Sequence, residues 1–174
     1  SPTPKIDFYK KDQIENFKLK YNIKSDYCVG MVGRINLNRK GQEVFVKAAK
    51  ITKSKFPNTR FIIIGSPYPG NEFFLEELKF LISKNHLEKY VLLLGEVKNI
   101  NLAYSLFDIV VIPSTRPESF GNVASESMNF LKPVISSNIG GAKDQIIDNQ
   151  TGLLFNNNDH VSLANKVDIL LSNI

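Results

Sequence analysis

The stretch "DIVVIPST" (Asp108–Thr115) has the composition of a strand that is buried on both faces, and the polar stretch "RPESFGNVASESMNF" (Arg116–Phe130) follows it directly. Glu118 lies in the turn of that second stretch, and Glu126 lies inside the helical pattern that comes after the turn. At 3.6 residues per turn, the two carboxylates are separated by about two helical turns. A buried strand followed by two such acids indicates that a ligand site lies beyond the end of the strand.

The same alternation of strand and helix patterns extends over most of the chain. Short apolar, largely β-branched runs occur at Tyr27–Gly33, Arg60–Gly65, Tyr90–Gly95, Asp108–Pro113 and Pro133–Ser137, with a further candidate strand at Thr151–Phe155. Helical patterns occur at Asp12–Tyr21, Gln42–Lys53, Glu72–Ser83, Asn101–Phe107, Asn122–Leu131 and His160–Leu171. Near-continuous apolar runs are typical of parallel strands that are covered on both faces. The pattern predicts an α/β fold, a Rossmann-like, doubly wound parallel sheet.

Length and composition indicate one domain with a sizeable core, because 43% of the 174 residues are hydrophobic. We expect residues 1–26 to form a lead-in segment with a short helix, and residues 27–174 to form the sheet domain. The net charge of +5 favours anionic partners such as phosphates or a membrane surface. The single cysteine, Cys28, is expected in the core. No nucleic-acid-binding module, signal peptide or membrane-length apolar run accompanies these features, which favours a cytoplasmic protein.

The segment after the first strand is the first candidate site, since ligands of such sheets bind beyond the carboxyl ends of the strands. Gly33 closes the strand, Arg34 follows it, and Lys40 and Gly41 directly precede a helix. Two cations beside a helix N-terminus are suited to a diphosphate. A basic loop without a ligand is the alternative for this segment taken alone.

The segment after the fourth strand is the second candidate site. Ser119 or Asn122 is positioned to cap the following helix, and Gly121 permits a ligand to approach the backbone. Glu126, four residues after Asn122, is expected on the side of that helix nearest the ligand. Taken singly, Glu126 could be a surface acid, and Glu118 a charge that favours the helix N-terminus.

Other strand ends carry weaker signals. Gly140 and Gly141 predict a backbone nest ahead of a helix, with a flexible turn as the alternative. The backbone of Glu96–Lys98 is available to a flat ring. The "GSPYPGNE" loop (Gly65–Glu72) receives no assigned function. Asp-x-Asp pairs and partnered histidines do not occur in the sequence, so we expect no metal site.

Seven segments together resemble one family in their order and approximate spacing: "VGRINLNRKG", "FIIIGS", "LLGEV", "FDIVVIPS", "PESFGNVASESM", "PVISSNIGG" and "NQTGLLF". The chain resembles the C-terminal, donor-binding domain of a retaining GT-B glycosyltransferase of family 4 (glycosyl transferases group 1). The resemblance covers about Tyr27 to Leu171 and implies one half of a GT-B fold.

The resemblance also implies roles for particular residues. Glu118 would contact the donor sugar, Arg34 and Lys40 would bind the diphosphate, and these three are the candidate catalytic residues. Glu126 would hold the ribose hydroxyls. The remaining donor-binding candidates are backbone positions near the sugar, the phosphates and the base: Gly33, Glu96, Val97, Phe120, Gly121, Asn122 and Val123.

The expected substrate is a nucleotide diphosphate sugar, with no cofactor and no metal. The expected partner is an N-terminal acceptor-binding domain that this chain lacks, so these residues alone are expected to transfer no sugar. The family implies a glycan or lipid-linked acceptor, with peripheral association at the inner face of the cytoplasmic membrane. A GT-B nucleotide-sugar epimerase domain, a phosphorylase and a non-catalytic Rossmann-like nucleotide-binding module are the alternatives.

Overall fold

The computed structural model describes residues 8–118 and 121–174, which form one parallel sheet with helices on both faces. The six strands are β1 (Tyr27–Val32), β2 (Thr59–Ile64), β3 (Val91–Gly95), β4 (Ile109–Ile112), β5 (Val134–Ser137) and β6 (Leu153–Phe155). The helices are α1 (Lys11–Lys20), α2 (Gln42–Thr52), α3 (Phe73–Lys84), α4 (Ile100–Leu106), α5 (Asn122–Asn129), α6 (Gly140–Gln145) and α7 (His160–Leu171). The predicted α/β fold class is therefore confirmed.

The order of strands in the sheet is β3-β2-β1-β4-β5-β6, and all five neighbouring pairs are parallel. β2 and β3 are added on one side of β1, whereas β4, β5 and β6 are added on the other side. The point of reversal lies between β1 and β4, where Val29 pairs with Ile109 and Gly30 with Val110. Loops that leave adjacent strands in opposite directions open a crevice at such a reversal.

Successive residues of β1, β2, β3 and β4 enter two different cores. Val29 and Met31 of β1 pack with α2, α3 and α7 on one face, whereas Cys28 packs with α1, α4 and Phe130 on the other. Both faces are covered, so the strands carry apolar residues at consecutive positions instead of alternating ones. This double burial explains why the strands were recognisable in the sequence as short continuous runs.

Cys28 is a core residue, as predicted, with 3% of its surface exposed. Burial raises the pKa of its thiol to about 11, against a smaller opposing effect of the hydrogen bond with Ser25. The thiol therefore stays protonated at neutral pH and behaves as a small apolar group.

The predicted helices and strands agree with the observed ones to within one or two residues at most ends. The glycine pair is an exception. Gly140 and Gly141 were predicted to form a backbone nest ahead of a helix, with a flexible turn as the alternative, but they are the first two residues of α6. No helix in the described ranges is both long and apolar enough to cross a bilayer.

Gly41 fixes how closely the start of α2 approaches the end of β4. It is the N-cap residue of α2, its φ is +78°, and a Cβ atom built on it would lie 1.8 Å from the carbonyl oxygen of Pro113. Only glycine accommodates both the positive φ and this contact without a shift of the backbone.

We expect Gly41→Ala to lower the free energy of unfolding by about 2–4 kcal/mol, from left-handed strain plus the overlap with Pro113. Urea denaturation followed by circular dichroism measures the loss. Gly121→Ala is the matched control, because Gly121 is also an N-cap glycine but has φ −79° and no atom within 4 Å of an added Cβ. Equal losses in the two variants would contradict the steric explanation.

Candidate functional site

Two loops meet at the reversal of strand order, and the space between them is called here the switch-point crevice. Residues 33–41 follow β1 and residues 113–121 follow β4. The amide of Thr115 donates a hydrogen bond to the carbonyl oxygen of Arg39 at 2.9 Å, and its hydroxyl donates to that of Asn38 at 3.4 Å. The described parts of the two loops are therefore held in a fixed relative position.

The ion pair between Lys40 and Glu118 joins the two sides of the switch-point crevice. The Nζ atom of Lys40 lies 2.6 Å from Oε1 of Glu118, and the two side chains are 32% and 23% exposed. Residues that are far apart in sequence, and that were predicted to act together, are thus in direct contact. A lysine ammonium has three donors, so this contact leaves Lys40 able to donate to an anionic ligand.

The start of α6 supports the backbone of Glu118. The amide of Gly141 donates to the carbonyl oxygen of Glu118 at 3.0 Å, and a Cβ atom on Gly140 would lie 2.8 Å from the amide nitrogen of Glu118. The predicted anion nest at this glycine pair is therefore replaced by a structural contact at Gly141. Its N–H group is already used to position Glu118.

Two small adjoining cavities of about 20 and 40 Å³ lie at the floor of the switch-point crevice. Both are lined by Glu118 and Gly121, and the larger one also by Lys40 and Val123. The space above Gly121 is open, since nothing lies within 4 Å of an added Cβ. These four candidates, predicted separately as sugar-, phosphate- and backbone-contacting positions, are gathered at one place.

The start of α5 differs from the prediction in one detail. Gly121 is the N-cap and has an extended backbone, whereas Asn122 is the first helical residue, so the expectation that Asn122 caps the helix is wrong. Gly121 has no side-chain oxygen to accept from the first amides of α5, beginning at Asn122 and Val123. Ser119, the other predicted cap, and Phe120, a predicted donor-binding residue, lie outside the described residues.

Glu126 lies half-buried on α5, about 6 Å along the helix axis from Asn122 at 1.5 Å per residue. Its Oε2 atom accepts a hydrogen bond of 2.8 Å from the hydroxyl of Tyr104 on α4. Tyr104 was not among the predicted site residues. The available signal was a phenol within an otherwise apolar helical stripe, because a buried tyrosine hydroxyl requires a partner.

Arg34 contacts the loop to which the sequence assigned no function. Its guanidinium carbon lies 3.4 Å from the centroid of the exposed Tyr68 ring, and the amide of Ile35 donates to the carbonyl oxygen of Ser66 at 3.2 Å. Gln42 of α2 also donates to the carbonyl oxygen of Arg34, at 2.8 Å. The backbone at Arg34 is thus fixed, while its side chain stacks on Tyr68.

The predicted base-framing segment, Glu96 and Val97, contacts the same loop as Arg34. The hydroxyl of Ser66 donates to Oε1 of Glu96 at 2.7 Å, which joins the loop after β2 to the loop after β3. Val97 packs against the core formed with α4. The amide of Gly33 donates to the carbonyl oxygen of Ile64 at 2.9 Å, so this amide is used within the sheet.

The fold and this crevice define a Rossmann-like α/β class of domain, and comparison with known proteins gives the family. The chain belongs to the glycosyl transferases group 1 family, whose sequence model matches residues 13–174. It is 30% identical over 168 residues to the capsular polysaccharide biosynthesis glycosyltransferase CapM of Staphylococcus aureus. That match covers 94% of this chain and 43% of CapM, so the chain spans about two fifths of the length of this relative.

Solved structures of GT-B glycosyltransferases share the fold. HepE of Anabaena, solved in complex with UDP and glucose, superposes with a TM-score of 0.87 at 26% identity, over 95% of this chain and 44% of HepE. The C-terminal domain of the group 1 glycosyltransferase LpcC of Francisella tularensis superposes with a TM-score of 0.84 at 28% identity. This second match covers 99% of this chain and 88% of the LpcC domain. The resemblance stated from the sequence is thereby confirmed at the level of family and fold.

The contact between Arg34 and Tyr68 gives a prediction for the protein without ligand. Tyr68→Leu should move the Arg34 Nε–H proton resonance downfield, because the shielding ring current over the guanidinium is removed. Proton–nitrogen NMR of arginine side chains measures this shift. Arg60, whose guanidinium lies 5.5 Å from the Tyr90 ring, is the internal control and should not move. An unchanged Arg34 resonance would contradict the stacked arrangement.

Proposed function

We propose that this chain is the donor-binding domain of a retaining, metal-independent glycosyltransferase that uses a nucleotide diphosphate sugar. The observation that carries the proposal is the Lys40–Glu118 pair in the switch-point crevice, beside the open backbone of Gly121 and the N-terminus of α5. Membership of the group 1 family supports it, as does the binding of UDP and glucose by the similar protein HepE.

The proposed roles follow from charge and position. Lys40, Arg34 and the first amides of α5 bind the diphosphate, since helix N-termini and fixed cations stabilise phosphate charge. Glu118 accepts hydrogen bonds from hydroxyls of the sugar, and its ion pair with Lys40 places the sugar next to the phosphate. Glu126 holds the ribose hydroxyls, Asn122 and Val123 offer their backbone amides to the donor, and Glu96 and Val97 frame the base. The amide of Gly33 is bonded to Ile64, so the proposed role of Gly33 is to let the donor approach the end of β1, where nothing lies within 4 Å of an added Cβ.

In the proposed reaction, the bond between the anomeric carbon and the β-phosphate oxygen breaks as the acceptor hydroxyl attacks from the same face. Because attack and departure occur on the same face, the configuration of the anomeric carbon is retained, and the leaving phosphate oxygen takes the proton of the acceptor hydroxyl. Negative charge develops on the leaving diphosphate, where preorganised donors accelerate such a step most effectively. Removal of one such donor costs about 10²–10³-fold in rate. Lys40 and Arg34 are proposed to supply this stabilisation without a divalent ion.

The full protein is proposed to transfer a hexose to a glycan or lipid-linked acceptor held by a partner N-terminal domain. The relative CapM acts in capsular polysaccharide biosynthesis, and another relative at 28% identity is a lipopolysaccharide 1,2-N-acetylglucosaminetransferase of Salmonella typhimurium. We place the protein in the cytoplasm, with peripheral association at the membrane. A nucleotide-sugar epimerase remains a weaker candidate, since the relatives named here are transferases.

The diphosphate-binding role of Lys40 gives the main test. We expect Lys40→Gln to weaken binding of UDP, GDP or ADP, whichever binds most tightly, by about ten- to hundredfold, because a charge-assisted hydrogen bond is lost. Titration calorimetry on the 174-residue chain, with EDTA or with magnesium, measures this loss. Equal affinity under the two conditions is expected for a metal-independent site.

Lys47→Gln is the matched control for this test. Lys47 lies in α2, seven residues after Lys40 in the sequence. Its Nζ atom pairs with Glu43 at 2.8 Å on the helix surface. The control loses the same charge at a short distance in sequence, so its affinity should change less than about twofold if only general electrostatics are affected. Equal weakening by both variants, or no binding of any nucleotide, would overturn the donor-site proposal.

The length of the chain relative to its relatives gives a separate expectation. We expect these 174 residues to bind nucleotide but to transfer no sugar by themselves, because the proposed acceptor site belongs to another domain. Release of nucleoside diphosphate from UDP-glucose, GDP-mannose and ADP-glucose, assayed with and without added acceptor glycans, measures transfer and hydrolysis. Acceptor-dependent turnover by this chain alone would contradict the two-domain arrangement.

A further inference from the structure

The hydroxyl of Tyr104 is a buried polar group whose only use in the described structure is at the proposed ribose-binding carboxylate. Tyr104 is completely buried on α4, and its hydroxyl donates to Oε2 of Glu126 on α5, 22 residues further on, at 2.8 Å. A buried phenol must have a hydrogen-bond partner, and the partner here belongs to a half-buried residue. The bond therefore connects the core of the domain to the candidate site.

Aromatic packing fixes where that hydroxyl lies. The ring of Tyr104 stacks on Phe130 at a centroid distance of 5.8 Å and an angle of 12°, and contacts Phe107 edge-on at 6.1 Å and 85°. Phe107 is fully buried and Phe130 nearly so. Close-packed aromatic neighbours leave a ring few rotamers, so the position of the hydroxyl is determined by the core.

The tyrosine is protonated, and therefore a hydrogen-bond donor, at neutral pH. Burial raises the pKa of Tyr104, and the hydrogen bond and negative charge of Glu126 raise it further. The proton therefore remains on the phenol and points to Oε2. Among the described residues, Oε1 of Glu126 accepts no hydrogen bond, so it is available to a ligand together with the second lone pair of Oε2.

We propose that Tyr104 is a positioning residue that orients the Glu126 carboxylate to accept from the two adjacent hydroxyls of a ribose. This inference rests on the proposed donor-binding function, in which Glu126 holds the ribose. A carboxylate on a helix surface otherwise rotates about its side-chain torsions, and binding then costs about 0.5–1.5 kcal/mol for each side chain that is immobilised. The hydrogen bond from Tyr104 removes part of that cost before the nucleotide arrives.

The test compares a ribonucleotide with its counterpart that lacks the ribose hydroxyls. The probes are the tightest binder among UDP, GDP and ADP, and the 2′,3′-dideoxy form of the same nucleoside diphosphate. Tyr104→Phe keeps the ring and removes only the hydroxyl. We expect this variant to lower the affinity for the ribonucleotide by about three- to tenfold, which is the effect of one hydrogen bond. Its affinity for the dideoxy form should fall by less than about twofold.

A double-mutant cycle separates positioning from a general structural role. In the Glu126→Gln background, Tyr104→Phe should cause no further loss of ribonucleotide affinity beyond about twofold, because the carboxylate that it orients is gone. Tyr90→Phe, at the amino end of β3 and away from the strand ends that form the site, is the control and should leave both affinities unchanged. Thermal denaturation of each variant reports any loss of stability separately from binding.

The outcomes distinguish this inference from the proposed function. If the wild-type chain binds the ribonucleotide and Glu126→Gln weakens it, but Tyr104→Phe has no effect or weakens both probes equally, Tyr104 is merely structural and the inference fails alone. If no nucleoside diphosphate binds the wild-type chain, the proposed function and the inference fail together. The positioning role is established if Tyr104→Phe weakens binding of the ribonucleotide but not of the dideoxy form, and does so only when Glu126 is present.

Discussion

The parallel pairing of β1 with β4 is the constraint on which the rest of the structure depends. It places two segments that are about eighty residues apart in sequence side by side, with their carboxyl ends at the same edge of the sheet. The chain leaves these strands in opposite directions, so their loops diverge and a crevice opens between them. Gly41 permits the closest approach, since its N-cap position lies directly against the carbonyl of Pro113.

At this crevice a cation is paired with an acid of the protein and is still able to contact a ligand. Lys40 is paired with Glu118, and both remain partly exposed, so neither bears the full cost of desolvation. The pair carries no net charge, so the proposed binding of a diphosphate rests on the remaining donors of Lys40, on Arg34 and on the N-terminus of α5. The amide of Gly141 holds the backbone of Glu118, and the ion pair with Lys40 holds its carboxylate, so this group is positioned before a ligand binds.

The core also determines the geometry of the site at a distance from the crevice. Tyr104 belongs to the core cluster that contains Phe107 and Phe130, yet its hydroxyl reaches the functional helix. On the opposite side, Ser66 and Tyr68 belong to a loop with no evident motif, and they contact Glu96 and Arg34. Functional side chains are thus supported by neighbours whose identity follows from packing, which is the general requirement for a precise site.

The sequence by itself determined the strands, the helices and the parallel fold, because runs buried on both faces and amphipathic helices leave strong local patterns. It also determined that Arg34, Lys40, Glu118 and Glu126 lie in the segments that follow β1 and β4. It also carried the family resemblance, through motifs such as "PESFGNVASESM". Only the tertiary structure decided that Lys40 pairs with Glu118, that Gly141 supports Glu118 instead of offering a free amide, and that Tyr104 and Tyr68 contact Glu126 and Arg34. These contacts join segments from different crossovers, and their partners are set by sheet order and side-chain packing, which no local period of the sequence encodes.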